Sequence, residues 1–156
     1  MSKITPFLWF NTNIENVINY YSSIFDSVVV HSKNYVGPAT DANRMMMSAS
    51  IEIAGQKIMA LNGGPHFEFT PAFSFYIECE NQEEVDNLWN KLTAEGKPSR
   101  CGWLLDKYGL SWQIIPKTLG KLVFGGPAEN SQRAMAAMMK MEKIIIADLE
   151  KAYNGE

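Results

Sequence analysis

Residues 13–21, NIENVINYY, return without a gap as residues 81–89, NQEEVDNLW. Asn13/Asn81, Glu15/Glu83, Val17/Val85 and Asn19/Asn87 are identical at a constant offset of 68, and Tyr20/Leu88 and Tyr21/Trp89 keep bulky apolar character. A capping-box pattern precedes each copy, Thr12-x-x-Glu15 in the first and Asn81-x-x-Glu84 in the second. Ile14, Val17, Ile18, Tyr21, Ile24 and Phe25 then form one apolar helix face, and Val85, Leu88, Trp89 and Leu92 form another. Upstream lie two short aromatic segments that read as strands, Ile4–Phe10 and Phe73–Cys79, aligned through Phe7/Phe75. The pattern predicts two copies of a strand–helix–strands unit.

The remaining elements follow from turn chemistry. Val28–Tyr35 is rich in β-branched residues and reads as a strand, and residues 37–43, GPATDAN, read as a loop. Arg44–Ile53 and Gln56–Leu61 form a predicted hairpin around Ala54-Gly55, and Asn62-Gly63-Gly64-Pro65 ends it. In the second copy Gly96 and Pro98 close the helix, and Cys101–Asp106 pairs with Ser111–Pro116. That copy therefore reads as one strand shorter. The last quarter is helical. Pro127 suits a first helical position, Met135, Met138, Met139 and Glu142 share a side beside Ala134, and Ile145, Leu149, Ala152 and Tyr153 mark a final short helix. No Ser-, Gly- or charge-rich linker sets these helices apart, so they are expected to pack on the duplicated part or on a partner subunit.

Composition excludes several functions. At 156 residues the chain fits one domain by the usual range of roughly 100–200. Fourteen basic and 17 acidic residues give a net charge of −3, which argues against nucleic acid as a partner. No apolar run approaches the roughly 18–20 residues of a membrane span, and the first residues, MSKITP, do not read as a signal peptide. Two cysteines, Cys79 and Cys101, make no disulfide framework, so a reduced, cytoplasmic protein is expected.

The segments ITPFLWFNTN, YYSSIF, ALNGGPHFEFTPAFSF and CGWLLDKYGLSWQIIP, with the Met-rich tail, resemble the PhnB-like branch of the glyoxalase/bleomycin-resistance/dioxygenase superfamily. This superfamily is also called the vicinal-oxygen-chelate fold. The resemblance implies an α+β chain of two tandem βαβββ modules, whose curved sheets enclose a cleft, often in a homodimer. It makes residues 1–156 one glyoxalase-like domain, with modules at about 1–66 and 70–116 and a helical extension over 117–156. Members of this branch often carry the label 3-demethylubiquinone-9 3-methyltransferase.

Enzymes of the superfamily hold a divalent metal with His and Glu side chains from the first and last strands of each module. Here Ile4–Phe10 and Ala72–Ile77 contain no His, Asp, Glu or Cys, and the implied ligand position falls near Ala72 or Ser74. Lys57–Asn62 offers only an amide, and DKYGLSWQI places Gln113 where the resemblance implies a ligating Glu. A neutral amide is a poor ligand beside carboxylate or imidazole. No metal and no cofactor are therefore expected. His66 and Glu68, two apart, read as polar residues of the connector, and His31, among β-branched residues with no acidic neighbour in sequence, reads as structural or exposed. Gly63-Gly64 and Gly125-Gly126 do not fit the strand–glycine turn–helix of a Rossmann-like S-adenosylmethionine site. Cys79 and Cys101 read as buried thiols, and Glu83-Glu84 belongs to a helix's first turn.

Strand alternation then sorts the aromatic residues. Phe7, Phe73, Phe75 and Ile77 are assigned to the core, which leaves Leu8, Ser74 and Tyr76 for the concave side. If Gln113 keeps the orientation that the resemblance implies, Ser111 and Ile115 join it and Trp112 turns to the core. The expected function is metal-free binding of an unidentified small molecule, with an enzyme of the same superfamily, methyltransferase or metal-dependent lyase or dioxygenase, as the alternative. The candidate ligand-binding residues are Ser74, Tyr76 and Gln113 on the strands, Asn62 and His66 at the connector, and Trp103 on the hairpin. No catalytic residue is identified, and His66 is the sole acid–base candidate among them, being the one group whose charge could change near neutral pH. A homodimer is expected.

Overall fold

A computed structural model describes residues 2–156. The chain divides into two compact units, Met1–Glu68 and Phe69–Glu156. Among the described residues no helix is long and apolar enough to cross a membrane.

The first unit runs β1 (Phe7–Phe10), α1 (Ile14–Ile24), β2 (Val28–Val36), β3 (Met45–Ile53) and β4 (Gln56–Asn62). Its sheet has the order β1-β4-β3-β2, with β1 parallel to β4 and the other pairs antiparallel. Ala54 and Gly55 both take positive φ, 48° and 87°, which closes the β3–β4 hairpin in two residues. Leu8 and Phe10, Ala49, Ile51 and Ile53, and Ile58 and Ala60 are buried on one face of the sheet. The helix α1 packs on β3 and β4 and buries Ile14, Val17, Tyr20, Tyr21 and Ile24. Its cap is Asn13 rather than Thr12. The Asn13 side chain accepts from the Glu15 N–H at 3.2 Å and from the Met46 N–H of β3 at 3.3 Å, so it serves the helix and the sheet together.

The second unit repeats the plan with β5 (Ser74–Cys79), α2 (Gln82–Thr93), β6 (Lys97–Pro98), β7 (Trp103–Leu105) and β8 (Ser111–Pro116). The sheet order is β5-β8-β7-β6, again with a parallel first pair. It is not a strand shorter than the first. The fourth strand has only two residues, and its Pro98 is tolerated because β6 lies at the edge. Asn81 caps α2 by accepting from the Glu84 N–H at 2.9 Å, while the Glu84 carboxylate accepts from the Glu80 N–H at 2.7 Å.

The expected faces hold for the strands of the second unit and fail in the first. Phe75, Ile77, Cys79, Leu104, Trp112 and Ile114 share the helix-facing side of the second sheet. In β1, however, Leu8 and Phe10 are buried and Phe7 is exposed; Phe73, just ahead of β5, is exposed too. Phe7 and Phe73 are thus not core, and Leu8 is not on the open side. The reason for the reversal in β1 is one extra residue. Asn11 and Thr12 separate Phe10 from Asn13, but only Glu80 separates Cys79 from Asn81. The helices repeat at 68 and the strands at 69, so Phe7 corresponds to Tyr76, and a shift of one reverses every side chain of a strand.

After β8 come α3 (Leu119–Phe124), α4 (Ala128–Met138) and α5 (Ile146–Asn154). Ile115 of β8 joins Leu119, Val123, Ala134, Ile144 and Leu149 in one buried cluster, so the extension packs on the second unit. Gln82 of α2 binds this extension at two points, donating to the Ile144 carbonyl at 2.9 Å and accepting from the Ile146 N–H at 2.8 Å. Pro127 is the cap of α4 and not its first helical residue. The helix ends at Met138, so Met139 and Glu142 leave the side shared by Met135 and Met138; Met139 is exposed.

The β7–β8 turn is built on Asp106, which is only 3% exposed. Its carboxylate accepts from the backbone N–H of Tyr108 at 2.8 Å and of Leu110 at 3.1 Å, and from the Trp112 indole N–H at 2.9 Å. Substituting Asp106→Ala would orphan all three donors at once. Urea unfolding is expected to show a loss of roughly 3 kcal/mol; a loss below about 1 kcal/mol would show that the turn does not depend on this carboxylate.

Candidate functional site

The face of the second sheet turned away from α2 carries Ser74, Tyr76 and Glu78 on β5, Ser111, Gln113 and Ile115 on β8, and Trp103 and Leu105 on β7; Ile115 is covered by the C-terminal helices and the rest of this side is the open face. Gln113 stands opposite Tyr76 on one neighbouring strand and opposite Trp103 on the other. This pairing puts Trp103 on the same face as Gln113. The Gln113 Nε2 donates to Ser74 Oγ at 3.0 Å. Tyr76 is 57% exposed, and Ser74, Trp103 and Gln113 are half-buried. Burial and then the nearby Glu78 carboxylate push the Tyr76 phenol above its ordinary range, so it is neutral at physiological pH. Ser111, the register partner of Ser74, is fully buried, and its Oγ has no hydrogen-bond partner among the described residues. Parity with Gln113 was the signal for Ser111, and it was legible in the sequence.

Asn62 and His66 belong to the first unit. Asn62 ends β4, and its Nδ2 lies 2.9 Å from Met45 Sδ. His66 is exposed in the following loop. The base of that loop is anchored on Trp9, whose indole N–H donates to the Gly64 carbonyl at 2.9 Å while its ring meets Phe67 edge-on at 5.0 Å. A Cβ on Gly63 would lie 2.2 Å from the Trp9 ring, so glycine is required there by contact. The Asn-Gly-Gly segment therefore has a structural explanation in Trp9, which sequence reasoning passed over.

His31 does have an acidic neighbour: its Nε2 lies 3.1 Å from Glu52 Oε2. A register shift between Val30 and Ser32 leaves His31 as the unpaired residue of a bulge in β2, a displacement that alternation cannot anticipate. Of the two thiols only Cys79 is buried. Burial, with the Glu84 carboxylate adding to it, pushes its thiol up to about 12. Cys101 is half-buried, has φ +56°, and its Sγ lies 3.8 Å from Met139 Sδ.

The divalent metal that the resemblance implies finds no fitting donor set among the described residues. The two candidate positions on the second sheet carry a hydroxyl and an amide that are bonded to each other, and β1 presents only Phe7, Leu8, Trp9 and Phe10. Among the described residues no group of three or more His, Cys, Asp or Glu is placed to hold a metal ion.

Residues 2–115 match the family described as 3-demethylubiquinone-9 3-methyltransferase. No curated protein matches the chain. Among solved structures, the PhnB protein of Bacillus cereus, which bears the same family description, is similar at 33% identity, with 74% of this chain and 99% of that chain covered and a TM-score of 0.65. Protein PA1353 of Pseudomonas aeruginosa is similar at 17% identity, covering 74% and 98%, with a TM-score of 0.60. The fosfomycin resistance protein FosX of Listeria monocytogenes is similar at 17% identity, covering 78% and 97%, with a TM-score of 0.54. The last two share the fold.

The thiols offer a direct check on this geometry. In native protein at about pH 8 a maleimide is expected to label Cys101 and spare Cys79, which should react only after denaturation, because reactivity follows the thiolate and its access. Equal labelling of both in native protein would contradict the burial of Cys79.

Proposed function

The chain belongs to the 3-demethylubiquinone-9 3-methyltransferase family, and from that premise we propose that this member of the glyoxalase/bleomycin-resistance superfamily is a metal-free small-molecule-binding protein. The observation that carries the proposal is the Gln113–Ser74 hydrogen bond at 3.0 Å. Where the fold's enzymes need ionisable ligands, this sheet presents a neutral hydrogen-bonding pair with Tyr76 and Trp103 on either side. Convergent polar groups among aromatic side chains are what a small-molecule site requires. Tyr76 and Trp103 supply area with a polar tip each, and the Gln113 amide both donates and accepts.

The family description names a methyltransferase. Rossmann-type binding of S-adenosylmethionine uses a glycine-rich turn between a strand and a helix. The corresponding turns here, Asn11-Thr12-Asn13 before α1 and Glu80-Asn81 before α2, contain no glycine. The chemistry of these turns therefore favours binding over methyl transfer. Two free cysteines accord with a cytoplasmic setting. We further propose a homodimer, supported by the strongly exposed Phe124 and Met139 of the C-terminal region.

A thermal-shift screen tests the function, with divalent metals, S-adenosylmethionine, quinones and aromatic antibiotics as its arms. Stabilisation is expected from an aromatic compound and from neither metals nor S-adenosylmethionine; the reverse would favour an enzyme. For the compound that stabilises, Gln113→Leu and Tyr76→Ala should each weaken binding by roughly 1–3 kcal/mol. Unchanged affinity in both folded variants would move the site elsewhere. Sedimentation equilibrium at micromolar concentration should give twice the chain mass, and the mass of one chain would contradict the dimer.

A further inference from the structure

We infer that the ligand of the second unit's open face is an uncharged aromatic compound that presents a hydrogen-bond donor beside an acceptor, as an aryl amide does. The inference rests on the small-molecule reading and narrows it. It starts from charge. Every side chain of this face on the two central strands, Trp103, Leu105, Ser111, Gln113 and Ile115, is neutral. The ionised groups of the same parity, Glu78 on β5 and Lys97 on β6, stand exposed on opposite edge strands. Lys97 lies two strands from β8, about 10 Å at the usual spacing. A carboxylate or phosphate over Gln113 would lose its hydration without gaining a cation.

The hydrogen-bonding inventory makes the class narrower. One N–H of the Gln113 amide is engaged by Ser74 Oγ. That leaves the second amide N–H, the amide carbonyl and the Ser74 hydroxyl proton, so donor and acceptor capacity stand side by side. Exchanging the amide's O and N preserves this balance, because Ser74 would then donate to the amide and leave its N–H groups available. An anion answers only the donors, and an amide answers both kinds. Tyr76, protonated at physiological pH, adds another neutral donor at the edge. The aromatic part of the ligand follows from Tyr76 and Trp103, which stand on the strands to either side of Gln113.

The test uses three probes of one ring system: 2-naphthamide, 2-naphthoate and naphthalene, each titrated against the intrinsic tryptophan fluorescence of the full chain and checked by calorimetry. The amide should bind roughly tenfold tighter than the isosteric carboxylate. Gln113→Leu should erase that preference, and an unchanged urea unfolding midpoint shows that the variant is folded. Lys97→Gln should leave the preference in place. Naphthoate binding as tightly as the amide, or a preference that survives Gln113→Leu, overturns the inference and leaves the small-molecule reading standing. Failure of all three probes to bind overturns both.

Discussion

The register of β5 on β8 decides what the second unit shows to its surroundings. With Tyr76 opposite Gln113, every second residue of both strands, Phe75, Ile77, Trp112 and Ile114, turns toward α2, and Ser74, Ser111 and Gln113 turn away. A slip of one residue would exchange the two sets, burying an amide and a hydroxyl and exposing an indole. The buried Asp106 guards against this on the other side of β8. It gathers the N–H groups of Tyr108 and Leu110 and the indole of Trp112, so the turn, the strand and the core side chain are set by one carboxylate. The Asp-x-x-Gly run of the hairpin is therefore a register device, and the polar face at Gln113 depends on it.

Much of the fold could be read from the sequence because its signals are local and periodic. The apolar faces of α1 and α2 repeat at one offset, and Ala54-Gly55 names its own turn. What could not be read depends on single residues or distant ones. Strand β6 is two residues long, too short to carry an alternation. The orientation of β1 hinged on one extra residue ahead of Asn13, and the aromatic identity Phe7/Phe75 concealed it because either face of a sheet can hold a phenylalanine. The partner of His31 came from a bulge, and the partner of Trp9 from a loop far along the chain.

The candidate site divides along the same line. Ser74, Tyr76 and Gln113 share a face as alternation requires, and Trp103 joins them only through its pairing on β8. Asn62, at the end of β4, and His66, in the loop after it, belong to the first unit.

The Ser74–Gln113 pair offers a metal ion only a hydroxyl and an amide, neutral groups that are poor ligands beside carboxylate or imidazole. Chelator-treated, untagged protein titrated calorimetrically with Mn(II), Zn(II) and Ni(II) tests this most directly. The account predicts no saturable binding of any of the three. Stoichiometric uptake of one ion per chain, lost on Gln113→Leu or Ser74→Ala, would contradict it.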